Sequence, residues 1–402
     1  MTAPSFPSDR PKLRMRPKTD ARRIRHGFPW VYGNETVLDR RTKALSPGTI
    51  AVLEDDGRAP LGLVAVNPLS KIVGRVLDRD PNAVVDQAWF EGRIAGALAL
   101  REMLFDTPYY RLIHAEADGL PGVIIDRFGD TAVIQPNAAW VDTRLDDLVA
   151  AIQSVTQIPN LIKNASGRTR ALEGLDDQNA ILAGQMPDGP IPVPMNGATY
   201  MADVAAGQKT GLFYDQRPNH AFAQSVSSDA RVLDMFSHVG GFGLAALAGG
   251  AQSALCVDGS VPALALASDG AKAMGAADRF ETRHGDAFDV LAALHDEGAQ
   301  FDVVICDPPA FAPSKKALDA GLRAYERVAR LAAPLVAEGG ILGLCSCSHA
   351  ADLTKFRAAS ARGIGRAGRS PALLHTGFAG PDHPQLPQLA ESGYLKALFF
   401  RL

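Results

Sequence analysis

The chain has 402 residues, 47% of them hydrophobic and 21% charged, with a formal net charge of -3. That length suggests about two or three domains, each large enough for a core of its own. No apolar run approaches the roughly 18–20 residues that span a bilayer, and the basic N-terminus lacks the apolar segment of a secretory signal, so a cytoplasmic protein is expected. The four cysteines, Cys256, Cys306, Cys345 and Cys347, all fall in the C-terminal half and form no Cys-x-x-Cys. Neither a metal site nor a disulfide framework is expected from that spacing.

Residues 1–10 read as a disordered tail. Between Arg10 and Lys43 there are eleven Lys or Arg against only Asp20, Glu35 and Asp39. Phe28, Trp30 and Tyr32 lie inside this stretch. A charge run is usually only a solvated face, but with these aromatics interleaved Arg22, Arg23 and Arg25 suit phosphate contacts plus base stacking better. Strands are predicted at Thr49–Glu54, Leu61–Val66 and Ile72–Leu77, with Asp55-Asp56-Gly57 as a turn. Together with the Arg22–Tyr32 run, this order resembles a PUA-type RNA-binding domain, which implies an N-terminal β-rich domain over residues 1–80.

Residues 81–196 read as a linking helix and an α+β middle domain. Helical spacing runs from Val84 to Phe105, with Ile94, Leu98, Leu100 and Met103 as candidate core positions. Strands follow at Val123–Ile125 and Ala132–Gln135, then a helix from about Asp142 to Thr156, then strands near Asn160–Lys163 and Ala180–Leu182. The proline-rich stretch Gln185–Asn196 reads as a boundary.

From about residue 197 onward strands and helices alternate, which predicts a doubly wound, mostly parallel α/β sheet. Strands are expected at Val232–Phe236, Ala254–Val257, Arg279–Arg283, Phe301–Cys306 and Ile341–Cys345. Helices are expected at Phe242–Leu247, Ala263–Met274, Ala287–His295 and Leu318–Val336. The last strand, Tyr394–Leu402, is expected to form an antiparallel edge.

The fourth strand ends at Asp307, and Pro308-Pro309 then hold the backbone extended beyond it. Open α/β sheets bind ligands at that end. An acid, a fixed backbone and Phe311 beyond it suit a pocket for a flat base, although a plain strand exit has the same outline. Gly241-x-Gly243-x-x-Ala246 after the first strand fits a dinucleotide fingerprint and would permit a nicotinamide-dependent oxidoreductase. Asp234 precedes those glycines, where a carboxylate opposes a pyrophosphate and attracts an ammonium group. Asp258 ends the second strand, where it can accept from ribose hydroxyls. Asp286, followed by Ala287, ends the third, where it can accept from an adenine amine. Each acid could be a simple strand-exit cap, but four at four successive strand ends favour S-adenosylmethionine.

Asp307-Pro-Pro-Ala-Phe-Ala-Pro-Ser-Lys-Lys316, Gly339-Gly340 and Cys345-Ser-Cys-Ser-His349 resemble the bacterial large-subunit rRNA cytosine carbon-5 methyltransferase family. Glu116–Gly122 and Gly207–Arg217 are similar to its other characteristic runs. The resemblance covers nearly the whole chain and implies a PUA domain, a small α+β domain and a Rossmann-like class I methyltransferase domain, with large-subunit rRNA as partner and a homodimer left open. It also implies that Thr210, Phe213, Asp215 and Arg217 cover the cofactor, beside Ser237, Gly240, Gly241 and Pro308. Where the family often has Tyr-Thr this chain has His238-Val239, and Ala350 replaces a second histidine.

Carbon 5 of cytosine becomes nucleophilic only when a thiolate adds at carbon 6. Cys347, just past the fifth strand, is the preferred nucleophile over Cys345, and Asp307 is placed to hold the cytosine edge at ring nitrogen 3. His349 could polarise the thiol or cap the next helix. No residue is identified as the base for the carbon-5 proton. Rival readings are an amine N-methyltransferase acting on a nucleobase, the oxidoreductase, and an RNA-binding protein with a decayed catalytic fold. Asp-Pro-Pro followed by Ala310 weakens the first, and the joint presence of Asp307 and Cys347 weakens the last.

Overall fold

The computed structural model describes residues 10–205 and 211–402. The chain forms two compact units, one of 1–187 with 381–392, the other of 188–380 with 393–402.

In the first unit the elements are β1 (Lys12–Arg14), α1 (Arg22–Arg25), β2 (Trp30–Tyr32), α2 (Arg40–Lys43), β3 (Thr49–Glu54), β4 (Pro60–Val66) and β5 (Ile72–Asp78). The strands form one sheet in the order β1-β3-β4-β5-β2 around Leu13, Val31, Leu53 and Val64. Then come α3 (Gln87–Leu104), β6 (Tyr109–His114), β7 (Val123–Phe128), β8 (Thr131–Pro136), α4 (Ala139–Asp142), α5 (Leu145–Thr156), β9 (Asn160–Lys163), α6 (Arg168–Glu173) and β10 (Ala180–Ala183). A second five-stranded sheet, β10-β9-β8-β7-β6, carries α3 and α5.

The buried face of α3 is Phe90, Ile94, Ala97 and Arg101. Met103, expected in the core, is 74% exposed, because it lies off that i, i+4, i+7, i+11 stripe. Arg101 takes an inward position because Asp118 accepts from both ends of its guanidinium at 2.7 and 2.8 Å. The two sheets are joined by buried polar contacts. Arg75 donates to Glu116 at 3.0 Å and to Glu173 at 3.1 Å, and Asn67 also donates to Glu173. The returning segment is fastened in the same way: Asp382 accepts from the Arg111 amide through its side chain and from Arg101 through its carbonyl.

The second unit begins with the hairpin β11 (Ile191–Met195) and β12 (Ala198–Ala202). It continues with α7 (Arg217–Ser225), β13 (Arg231–Met235), α8 (Gly241–Ala248), β14 (Ser253–Asp258), α9 (Val261–Ala273), β15 (Phe280–His284), α10 (Ala287–Asp296) and β16 (Phe301–Cys306). The last elements are α11 (Leu318–Ala332), β17 (Val336–Ser346), α12 (Leu353–Arg366), β18 (Ala372–Gly377) and β19 (Lys396–Arg401). The seven-stranded sheet runs β15-β14-β13-β16-β17-β19-β18. β13 to β17 are parallel, and β19 is antiparallel to both β17 and β18. α10, α11 and α12 share one core with β13, β16 and β17, while α8 and α9 pack with β12 and β14. Strand order reverses between β13 and β16, which opens a crevice at their carboxyl ends.

Two expectations are corrected here. The last strand is not an edge: Lys396–Phe400 are all at most 4% exposed, because β18 covers them. The helix from Leu318 stops at Ala332, since Pro334 has no N–H for the next turn, and β17 starts earlier than the apolar run suggests.

Candidate active site

The crevice is lined by the strand exits. Asp234 lies near the end of β13, 0% exposed. Its Oδ2 accepts from the amides of Phe242 at 3.1 Å and Gly243 at 2.8 Å, so it caps the first turn of α8. Its Oδ1 is buried with no hydrogen-bond partner among the described residues. Burial raises the Asp234 carboxyl to about 7, against the pull of the two helix amides. The loop onward to α8 is bent sharply: Phe236 and His238 have φ of 61° and 50°, a conformation that costs a non-glycine residue and is concentrated at functional sites. The Ser237 carbonyl accepts from the amides of Gly240 and Gly241.

The glycines have packing reasons. Gly240 has φ 79°, and a Cβ on Gly243 would collide with the Cys256 sulfur of β14. A Cβ on Gly241 would come within 2.8 Å of His220 Nε2. The fingerprint spacing therefore seats α8 on the sheet beside α7.

Asp258 ends β14. Its Oδ2 accepts from the His238 amide and its Oδ1 from the Ser260 amide, both at 2.8 Å. It thereby ties the loop after β13 to the loop after β14, and each oxygen keeps a lone pair for a hydroxyl donor. Asp286 is exposed and caps α10 through the amides of Phe288 and Asp289, while Ala287 is turned into the core. Phe213 has its ring 5.0 Å from that of His238. Asp215 accepts from the Tyr394 hydroxyl at 2.6 Å and, through its carbonyl, from the Gly380 amide. Arg217 opens α7, its guanidinium 5.5 Å from the Tyr214 ring centroid. Thr210 lies outside the described residues, as do residues 1–9.

Asp307 leaves β16 half-buried, its amide bonded to the Met235 carbonyl, and Pro308 behind it is buried. Its Oδ2 accepts from Gln216 Nε2 at 2.7 Å, and Gln216 Oε1 accepts from Asn219 at 2.6 Å. Gln216 was passed over in the sequence, although it sits between two selected residues. Its partner is 91 positions away, and no local pattern announces the pair. Phe311 is not a free base platform: its ring packs against Tyr325 at 5.0 Å and Phe288 at 6.3 Å.

Register pairs Cys306 with Leu344, so Asp307 stands level with Cys345 and Cys347 lies two residues further out. Cys345 is 0% exposed, and burial holds its thiol well above the ordinary range. Cys347 is half-buried. Its neighbours are clamped. Ser346 donates to the Tyr325 hydroxyl at 2.9 Å, that hydroxyl bonds Ser348 at 2.7 Å, and Ser348 Oγ accepts from the Ala312 amide. The turn carrying Cys347 is thus locked to the Pro-Pro loop that follows Asp307. His349 is exposed, and α12 is capped by Asp352 instead.

The proposed RNA-facing residues are partly committed to their own domain. Arg23 pairs with Glu35 and lies 4.3 Å over the Phe28 ring, Arg25 pairs with Asp55, and Trp30 Nε1 donates to Glu116. Arg22 is exposed. A groove of about 610 Å³ is lined by Lys12 and Arg14 of β1, Arg41 of α2 and Arg58 of the turn between β3 and β4, so only the fold brings Arg58 to the basic stretch of residues 10–43.

A parallel sheet with an antiparallel strand inserted beside its far edge, and an acid at each exit along its first four strands, defines a Rossmann-like class I methyltransferase domain. The S-adenosylmethionine-dependent methyltransferase family matches residues 163–401, and the PUA-like domain matches residues 13–79. The chain belongs to that methyltransferase family, and S-adenosylmethionine is its cofactor. It is 35% identical to ribosomal RNA large subunit methyltransferase I of Alteromonas mediterranea over 93% of this chain and 95% of that one. It is 34% identical to the ribosomal RNA large subunit methyltransferase of Deinococcus radiodurans over the full length of both. A Streptococcus mutans protein described as an S-adenosylmethionine-dependent methyltransferase superposes with a TM-score of 0.83 at 20% identity, covering 98% of this chain and all of that one. A second solved methyltransferase, at 21% identity with the same TM-score and coverage, holds S-adenosylhomocysteine. No helix among the described residues is long and apolar enough to cross a membrane.

The residues present fit the cofactor: the buried, unpartnered Asp234 oxygen calls for a cationic or N–H group, and Asp258 has acceptor capacity left. Asp258→Ala is expected to weaken S-adenosylmethionine binding by about 1–3 kcal/mol, as hydroxyls and two loop amides lose an acceptor. Calorimetry giving wild-type affinity would remove Asp258 from the site.

Proposed function

We propose that the protein is a cytoplasmic methyltransferase that forms 5-methylcytosine in large-subunit rRNA through a covalent cysteine adduct. The observation that carries this reading is Cys347 itself: a half-buried thiol in the turn just past β17, between Ser346 and Ser348, which Tyr325 clamps, with β17 the neighbour of the β16 strand that leads into Asp307. When bound, S-adenosylmethionine supplies an electrophilic methyl group. Cys347 Sγ adds to carbon 6 of the cytosine, and the ring electrons shift toward carbon 5 and nitrogen 3. Asp307, oriented by Gln216, holds the edge at nitrogen 3 and shares its proton there. Asp234, Ser237, Gly240, Gly241, Asp258, Asp286, Ala287 and Pro308 frame the cofactor, with Phe213, Asp215, Arg217 and Thr210 as its cover. The relatives named for large-subunit rRNA support the substrate class. The test is methylation of unmodified large-subunit rRNA, followed by mass spectrometry of the nucleosides. The expected product is 5-methylcytidine, and a methylated amine or ribose overturns the reading. Light scattering of the purified protein decides between a monomer and a homodimer.

RNA backbone contacts fall to the basic N-terminal domain. Deleting residues 1–80 is a poor test, because it would leave Glu116 and Glu173 buried without Arg75, at a cost of about 3–5 kcal/mol. Arg14→Gln, Arg41→Gln and Arg58→Gln combined are the cleaner change. The expected result is a salt dependence of RNA binding shallower by about 2 in log–log slope, with cofactor affinity unaltered. An unchanged slope would make the groove a solvated face.

A further inference from the structure

We propose that Lys396 is a positioning residue that holds Cys347 as a thiolate by sharing its proton, an inference that rests on Cys347 being the nucleophile. Lys396 opens β19, and its backbone is paired with Ser346 of β17. Its side chain is 4% exposed, and Nζ donates to the Ser348 carbonyl at 2.7 Å. Cys347 is the residue between those two anchors, so the amine is fixed against the turn that presents the thiol.

A buried ammonium is costly unless an anion faces it. Lys396 forms no ion pair with a carboxylate among the described residues. The titratable groups that face its amine are Cys347 and Asp352, and the Tyr325 hydroxyl faces Cys347 from α11. Asp352 is already taken: it caps α12 by accepting from the Lys355 amide, and it pairs with the Lys355 ammonium. That leaves Cys347 as the one facing group whose charge is still to be set. Burial lowers Lys396 to about 8, with Cys347 and Asp352 opposing the drop, which brings the amine close to an ordinary thiol at about 8.5. One proton then serves two sites. Sγ–H with a neutral amine becomes a thiolate with an ammonium, no other bond changes, and the charge pair forms inside the clamp before sulfur meets carbon 6. When the adduct breaks, the same ammonium faces the sulfur as it recovers its electron pair.

The test is the pH profile of iodoacetamide alkylation at Cys347, followed by mass spectrometry of the peptide that also carries the buried Cys345. In Lys396→Met and Lys396→Gln the midpoint is expected to rise by about one pH unit, and alkylation at pH 7 to slow about tenfold. Glutamine keeps a donor for the Ser348 carbonyl without the charge, so a purely structural role predicts wild-type behaviour for it. Lys396→Arg is expected to keep the low midpoint. The kcat for methyl transfer should fall in the Met and Gln variants while cofactor affinity holds. If Lys396→Met fails to fold, the Gln and Arg variants decide between charge and hydrogen bond. Profiles of Lys396→Gln and wild type that superimpose overturn the proposal. Alkylation needs no turnover, so it reads Lys396 independently: methylation surviving in Cys347→Ala would sink the nucleophile assignment without altering the midpoint.

Discussion

Cys347→Ala is expected to abolish methyl transfer, a loss on the order of 10⁴-fold or more, while S-adenosylmethionine binds as before, because the lost term belongs to the covalent step alone. Cys345→Ala should cost about 1 kcal/mol of stability at most and leave turnover intact, since that thiol is 0% exposed and kept protonated by burial. An RNA carrying 5-fluorocytosine should trap the wild-type enzyme, because fluorine cannot leave as a cation after methylation. Asp307→Asn should slow the trapping. Asparagine can still accept from Gln216, but it brings no carboxyl to share the proton at nitrogen 3. A peptide map of the adduct decides the matter: attachment at Cys345 reverses the assignment. No adduct from an enzyme that still methylates RNA moves the reaction to an amine or a ribose.

Asp234→Asn should separate stability from cofactor binding in opposite directions. In the unliganded protein burial lifts the Asp234 carboxyl to about 7, from about 3.9 in an unfolded chain. The folded state therefore keeps a proton that the unfolded state releases, and stability from this group falls as pH rises from about 4 through 7. Asparagine removes that penalty. The unliganded variant should be more stable than wild type by roughly 2–4 kcal/mol at pH 8, with the gap closing toward pH 4. Its cofactor affinity should drop by about 10- to 100-fold, as the unpartnered oxygen no longer offers a charge. In the wild type a cationic ligand group lowers the Asp234 carboxyl, so affinity should climb as pH rises through about 5–7, with proton release. The neighbouring Asp258 charge opposes its ionisation, while the Cys256 thiol, which donates to Oδ2, favours it. Calorimetry across pH reads this directly. A flat wild-type profile, or a variant that binds as tightly, would leave Asp234 as a helix cap only.

Much of the fold was legible because its signals are local. Val303–Cys306 is a continuous apolar run of strand length, which reads as a strand buried on both faces, and it lies in β16. The acids at the strand exits could be placed in the same way, since a strand's end is marked where apolar residues stop. Asp258, Asp286 and Asp307 lie at or just beyond those ends, and Asp234 lies one residue before the end of β13. Strand order carries no such mark. Whether β19 is an edge depends on β18, whose exposed Leu373 and Leu374 give no inward/outward alternation to read.

Side-chain partners were the least legible. Gln216 reaches Asp307, Tyr325 ties Ser346 to Ser348, and Lys396 reaches the Ser348 carbonyl, each across 21 or more positions. A hydrogen bond between residues far apart in the chain has no periodicity, so nothing in the sequence around either partner predicts it. The same holds for Arg23, Arg25 and Trp30, whose residue types suggest an RNA surface but whose polar ends are held by Glu35, Asp55 and Glu116. The sequence by itself determined the class of fold, the cofactor and the two candidate reacting groups, because strand ends and residue chemistry are written locally. Only the tertiary structure decided which of those groups is buried, which is held and by what, because burial and partnership arise when distant segments pack.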